Sequence, residues 1–310
     1  MTAFLVFAAS FASAAPAAAY VRTRTDTTHV PLYWSFPRAT LELARPPESF
    51  PVSAIDFQAA AAQAANAWTF TPLECSSVNL TIAPDLVDDQ TVAYDGHNRI
   101  VIRTGAWCRD PDALTHCHES SQIAVTTVVS RYHPGAYDDG QILEADIEVN
   151  DVDYLWAVIP EGEFAGRDFA NSYDLAAALT HEMGHFIGFA HTCLLPGEDP
   201  RVDDQGVPSP PCTEVAPNTS SLIRDSAMYP FMEPVETRER WLSTDDLVGA
   251  CAIYSVATVP QEGMCQVGRT DVANDFANLV GALALVSGLL TRQKRGNKSV
   301  ACAATLRKDS

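Results

Sequence analysis

The chain has 310 residues, with 20 Lys+Arg against 39 Asp+Glu, a formal charge of −19 and 47% hydrophobic residues. That hydrophobic content excludes wholesale disorder. The acidic excess excludes a nucleic-acid-binding body, which needs clustered Lys and Arg. The charge is also split: residues 20–291 carry 14 basic and 38 acidic side chains, and residues 292–310 carry six basic and one acidic.

Residues 1–19 pass from an apolar stretch into small residues ending Ala17-Ala18-Ala19. That is the order of a secretory signal peptide and its cleavage site. Cleavage is expected after Ala19, with Ala14 as the alternative. Residues 30–36 and 40–44 read as a strand pair or one bent strand. Ser53-x-x-Asp56 resembles a capping box. It opens a helix to about Thr69, with Phe57, Ala61, Ala64 and Trp68 at helical spacing. Residues 78–82, 99–103, 123–130 and 142–149 are β-branched runs bounded by turn residues, and are expected as strands. A second helix is expected near Asp174. A third starts at Ser243-Thr-Asp-Asp246, again a capping box, and runs to Tyr254. This order predicts an α/β (α+β) domain with a mixed sheet over 20–258.

A linker is expected at 259–275. Residues 276–290 are mostly apolar but short of the ~20 needed to span a bilayer. Arg292, Lys294 and Arg295 follow, as a positive-inside stop would. With Cys265 upstream, this end resembles bacterial C-terminal sorting tails of the MYXO-CTERM type. The resemblance implies attachment to the membrane or cell envelope; a terminal amphipathic helix is the alternative.

Eight cysteines are present, six of them before this tail. With an export signal they read as disulfides. Sequence does not choose among about 15 connectivities. Proximity favours Cys193–Cys212 and Cys108–Cys117, leaving Cys75–Cys251.

The chemistry is concentrated in His181-Glu-Met-Gly-His185-Phe-Ile-Gly188-Phe-Ala-His191. Histidines four apart share one helical face at metal-ligand separation. Gly188 can take φ > 0 and turn the chain back, bringing His191 to a third ligand position. Three imidazoles leave a fourth site open, as a catalytic zinc requires. Glu182, beside the first ligand, is placed to take a proton from water.

This motif resembles the HExxHxxGxxH signature of the metzincin zinc metalloproteases. Ser226-Ala227-Met228-Tyr229-Pro230 resembles the Met-turn of its matrixin branch, which sits below the zinc. Thr192 is also closer to the matrixin serine than to the astacin glutamate. The resemblance covers about 20–257. It implies a zincin-like catalytic domain, with a mixed, mostly parallel twisted sheet and three main helices. It further implies catalytic Zn2+, Glu182 as general base, and protein or peptide substrates. These would lie along an edge strand at Ile123, Ala124, Val125 and Thr126, with Tyr229 and Pro230 beside them. The expected product is a secreted or surface-attached endopeptidase acting as a monomer. The rival is a surface adhesion module that keeps a metal site without turnover.

No PRCGxPD-like segment precedes the domain, so latency by a thiolate on the metal is not expected. The proline-rich stretch 192–225 is either a gate on the cleft or an inert insertion pinned by its disulfide. Asp146, Asn150, Asp151 and Asp153 offer hard oxygens for Ca2+, with solvated acids as the alternative. His97, His116, His118 and His133 offer imidazoles for a second zinc, against plain surface histidines.

Overall fold

The run Ile142-Leu-Glu-Ala-Asp-Ile-Glu-Val-Asn150 alternates apolar and polar side chains. An extended chain therefore puts Ala145, Ile147 and Val149 on one face and Glu144, Asp146, Glu148 and Asn150 on the other. In the computed structural model, which describes residues 19–69, 74–112, 114–160, 169–215 and 221–256, this run lies inside a five-stranded sheet. The strands are β1 (Arg38–Ala44), β2 (Asn79–Val87), β3 (Asn98–Arg103), β4 (Ala124–Ser130) and β5 (Ile142–Asn150). Their spatial order is β2-β1-β3-β5-β4. β1 pairs parallel with β2 and β3, and β3 parallel with β5. β4 runs antiparallel to β5 and is left as an edge. The protein is thus a mixed α/β domain with few helices.

Three helices of ten residues or more are described: α1 (Ala54–Thr69), α2 (Leu175–Phe186) and α3 (Thr244–Ile253). Ser53 Oγ accepts the Asp56 N–H at 3.1 Å at the start of α1 and donates to the Asp56 carboxylate. Phe57, Ala61, Ala64 and Trp68 form the buried stripe of α1. That stripe joins Ala145, Ile147 and Val149 in one core with Leu175, Leu179, Met183 and Phe186 of α2. Trp68 Nε1 donates to the Thr180 carbonyl at 2.9 Å, which satisfies its polar atom inside the core. Ser243 caps α3 with a full capping box.

The other face of the sheet is covered as well. Arg103 Nε donates to Glu148 Oε1 at 2.7 Å, and the Arg99 N–H donates to Asp146 Oδ1 at 2.7 Å. Glu144 accepts the N–H groups of Asp95 and Gly96. Glu144, Asp146 and Glu148 are all buried, so these three acids are internal and hydrogen-bonded rather than solvated.

One expected element is absent. Residues 30–36 form no strand; they make isolated bridges at Pro31 and Tyr33. Pro31 has no N–H to give a ladder, and Pro37 ends the segment. Trp34 instead stacks on Phe186 at 5.2 Å and donates its indole N–H to the Phe186 carbonyl at 2.8 Å. The alternating aromatic pattern there serves packing onto α2.

Cys75–Cys251, Cys108–Cys117 and Cys193–Cys212 are paired, with Cα–Cα separations of 5.2, 3.7 and 5.0 Å. Three disulfides fit an extracellular protein. Among the described residues no helix is long and apolar enough to cross a membrane. The expected signal segment, linker and C-terminal tail, with Cys265 and Cys302, lie outside the described residues.

Candidate metal centre

α2 starts where Asp174, its N-cap, accepts the Ala177 N–H at 2.8 Å. Two turns later His181 and His185 project from one face. α2 ends at Phe186, and Gly188 adopts φ +92°. A Cβ at Gly188 would lie 2.9 Å from the Leu32 carbonyl oxygen, so both the turn and the close approach require glycine. The chain doubles back and brings His191 beside the pair.

The three Nε2 atoms converge: His185 Nε2 is 3.1 Å from His181 Nε2 and 3.2 Å from His191 Nε2. Among the described residues this is the group of three or more His, Cys, Asp or Glu side chains able to hold a metal ion. The Nδ1 atoms are committed elsewhere. His181 Nδ1 donates to the Ala227 carbonyl at 2.7 Å, and His185 Nδ1 to the Phe189 carbonyl at 2.9 Å. His191 Nδ1 lies 3.5 Å from Glu198 Oε1. With each Nδ1 proton so directed, the Nε2 lone pairs face one another. That is an arrangement for a shared cation rather than for mutual hydrogen bonds. Burial, aided by the neighbouring imidazoles, holds His181 neutral to about pH 3 and shifts His185 down as well. Neutral imidazole is the ligating form.

Met228 is 1% exposed and packs against α2 at Gly184, between the two helical histidines. A Cβ on Gly184 would come within 2.1 Å of Met228 Sδ and 2.9 Å of Trp68, so the glycine lets the turn close against α2. The turn itself is pinned from α3. Asp246 accepts from Ser226 Oγ at 2.6 Å and from the Ala227 N–H at 2.8 Å while also serving the capping box. The Ala227 carbonyl that holds His181 is thereby fixed. The capping signature exposed only the capping role of Asp246, not its hold on the turn.

Glu182 is buried, and its Oε2 lies 2.5 Å from Thr126 Oγ1 of the edge strand. Burial lifts its carboxyl to about 7, against the opposing Thr126 hydrogen bond. The expected site residues Ile123, Ala124, Val125, Thr126, Tyr229 and Pro230 all line one cleft with the triad and Glu182, about 860 Å³ in volume. That is the size of a ligand pocket. Thr126 was expected as backbone for substrate; its hydroxyl contact with Glu182 depends on packing of β4 against α2.

The loop after His191 contributes Glu198, which no motif marked. Burial opposes ionisation of Glu198, but the His191 ring, the Leu195 N–H at 2.6 Å and Arg201 at 2.7 Å hold its carboxyl down at about 2. A carboxylate directed at a ligand imidazole fixes its tautomer and raises its basicity. Glu198→Gln should therefore weaken the affinity of the three-histidine cluster for a metal ion by about 10–100-fold. Competition against a chromophoric chelator reads this, and an unchanged affinity would exclude the contact as functional.

The calcium expectation is not met. Asp146, Asn150, Asp151 and Asp153 form no ion cage: Asp146 serves the Arg99 N–H, and Asn150 Oδ1 accepts the Val152 and Asp153 N–H groups as a turn. The second-zinc expectation fails likewise, since His97, His116, His118 and His133 each face a separate carboxylate. Asp146 has a different consequence. Burial pushes its carboxyl up to about 7, opposed by the Arg99 N–H and reinforced by Glu144. The native state then keeps a proton that the unfolded chain releases near 3.9. Its contribution to stability grows as pH falls from about 7 towards 4 and is lost as pH rises through 7. Asp146→Asn should lose this dependence, so its melting temperature should gain on the parent's between pH 5 and pH 8. Parallel profiles would contradict the assignment.

No family model matches this chain, and no curated protein matches it.

Proposed function

We propose that the protein is a secreted zinc-dependent endopeptidase of the metzincin type, matrixin-like in its active-site segments. The observation that carries this reading is the convergence of three imidazoles in one cleft that Glu182 and an edge strand also line, with buried Met228 packed against the helix that carries two of them. His181, His185 and His191 are the residues that would hold the ion. A bound Zn2+ supplies a Lewis acid that polarises a carbonyl and acidifies water.

The remaining steps belong to the chain. An extended peptide adds to β4 through main-chain hydrogen bonds, since among the described residues no strand lies beyond that edge. Glu182, with a carboxyl near 7, accepts the water proton and passes it to the departing amine. Thr126 holds the Glu182 carboxylate in the cleft through its hydroxyl.

The test is casein or gelatin cleavage by the zinc-loaded full chain, with and without a chelator. Cleavage that stops on chelation and returns with zinc supports the reading. A protein that binds zinc and cleaves nothing is the adhesion module instead.

A further inference from the structure

The cleft has one lobe that the reaction does not use. It lies towards the N-terminal end of α2, where Ala178, Tyr173, Tyr154 and Met232 line it together with Glu239. Ala178 precedes His181 by three residues, or about 4.5 Å of helix rise. The aromatic and aliphatic walls suit the stem of a long side chain.

Glu239 is the anomaly. Its side chain lines the cleft yet is 1% exposed, so it is part of the buried wall rather than of the solvated surface. Oε1 accepts from Arg238, but Oε2 is buried with no hydrogen-bond partner among the described residues. An unpartnered buried carboxylate oxygen is costly and calls for a donor.

The neighbouring charges do not supply one. Arg240 is committed to Asp174 and the Ile159 carbonyl. Arg238 faces three acids, Asp225, Glu236 and Glu239, and its own buried Nε also has no partner among the described residues; its terminal nitrogens reach Glu239 only at Oε1. Burial raises the Glu239 carboxyl despite the hydrogen bond from Arg238, which is the state that an added cation would relieve.

We propose that this lobe is a side-chain subsite for a basic substrate residue, arginine or lysine, received by Glu239 Oε2. The assignment rests on the peptidase reading and adds its substrate class: proteins cut beside a basic side chain.

Two arms test it. Zinc-loaded Glu182→Ala protein is titrated calorimetrically with blocked hexapeptides that carry Arg or Leu at each position in turn. Arg should bind at least about tenfold tighter than Leu at one position, as a charge-assisted contact predicts. Glu239→Gln should remove most of that difference, and Glu239→Leu should reverse it. No position favouring Arg, no measurable binding, or a preference that survives both substitutions would overturn the subsite. The second arm is hydrolysis of the same peptides by the chain with Glu182 intact. Arg preference without hydrolysis sinks the peptidase and keeps the subsite; hydrolysis without Arg preference does the opposite.

Discussion

Glu182→Ala should keep the bound ion and lose peptide hydrolysis by about 10²–10⁴-fold, the usual contribution of a positioned general base. The two halves of that result are separable because the ligands do not depend on Glu182. His181 is held by the Ala227 carbonyl, His185 by the Phe189 carbonyl, and His191 faces Glu198. None of these partners changes in the variant. Glu182 itself touches Thr126, and its raised carboxyl lies where it can both take and return a proton. Zinc content by atomic absorption and turnover of a peptide substrate are measured on the same preparation. Turnover within a few-fold of the parent would sink the assigned role. Loss of zinc would mean that the carboxylate is structural.

The largest stability effect is expected at Arg240. Asp174 is fully buried, and Arg240 donates to both of its oxygens, once through Nε at 2.7 Å and once through a terminal nitrogen. The same guanidinium reaches the Ile159 carbonyl at 2.6 Å. Asp174 also accepts the Ala177 N–H as N-cap and the Ile159 N–H at 3.0 Å. Arg240→Ala leaves a fully buried carboxylate without its cation, which costs about 3–5 kcal/mol. At about 2–4 °C per kcal/mol, the melting temperature should fall by about 10 °C. Arg240→Lys should fall between, because a point charge does not reproduce the fork. A melt of Arg240→Ala within 2 °C of the parent's, a margin of about 1 kcal/mol or less, would refute the argument. The pair also sets the start of α2, so the loss should reach the metal helix first.

What can be read without a structure is what depends on near neighbours. His181 and His185 share a face because α-helical geometry makes residues four apart adjacent. Gly188 signals a turn because glycine alone takes positive φ freely. Ser243 and Asp246 announce the start of α3 within four residues. The alternation in 142–150 correctly separates the two faces of β5. It does not say what lies over the polar face, and so Asp146 looked like a calcium ligand or a solvated acid.

The rest was decided by partners that are remote in sequence. Asp246 reaches Ser226 across 20 residues and Ala227 across 19, Thr126 meets Glu182 across 56, and Arg240 meets Asp174 across 66. A strand-like pattern at 30–36 gave way to packing on Phe186, because proline removes the ladder donor and the aromatic rings find a better surface. Periodicity and capping involve groups within a turn or two, so their rules are written in the local sequence. The pairing of a buried charge is chosen by whichever distant segment the sheet and helices bring against it. That is why the three-histidine cluster was legible at once, whereas the placement of Glu198, Glu239 and the buried acids of β5 required the tertiary structure.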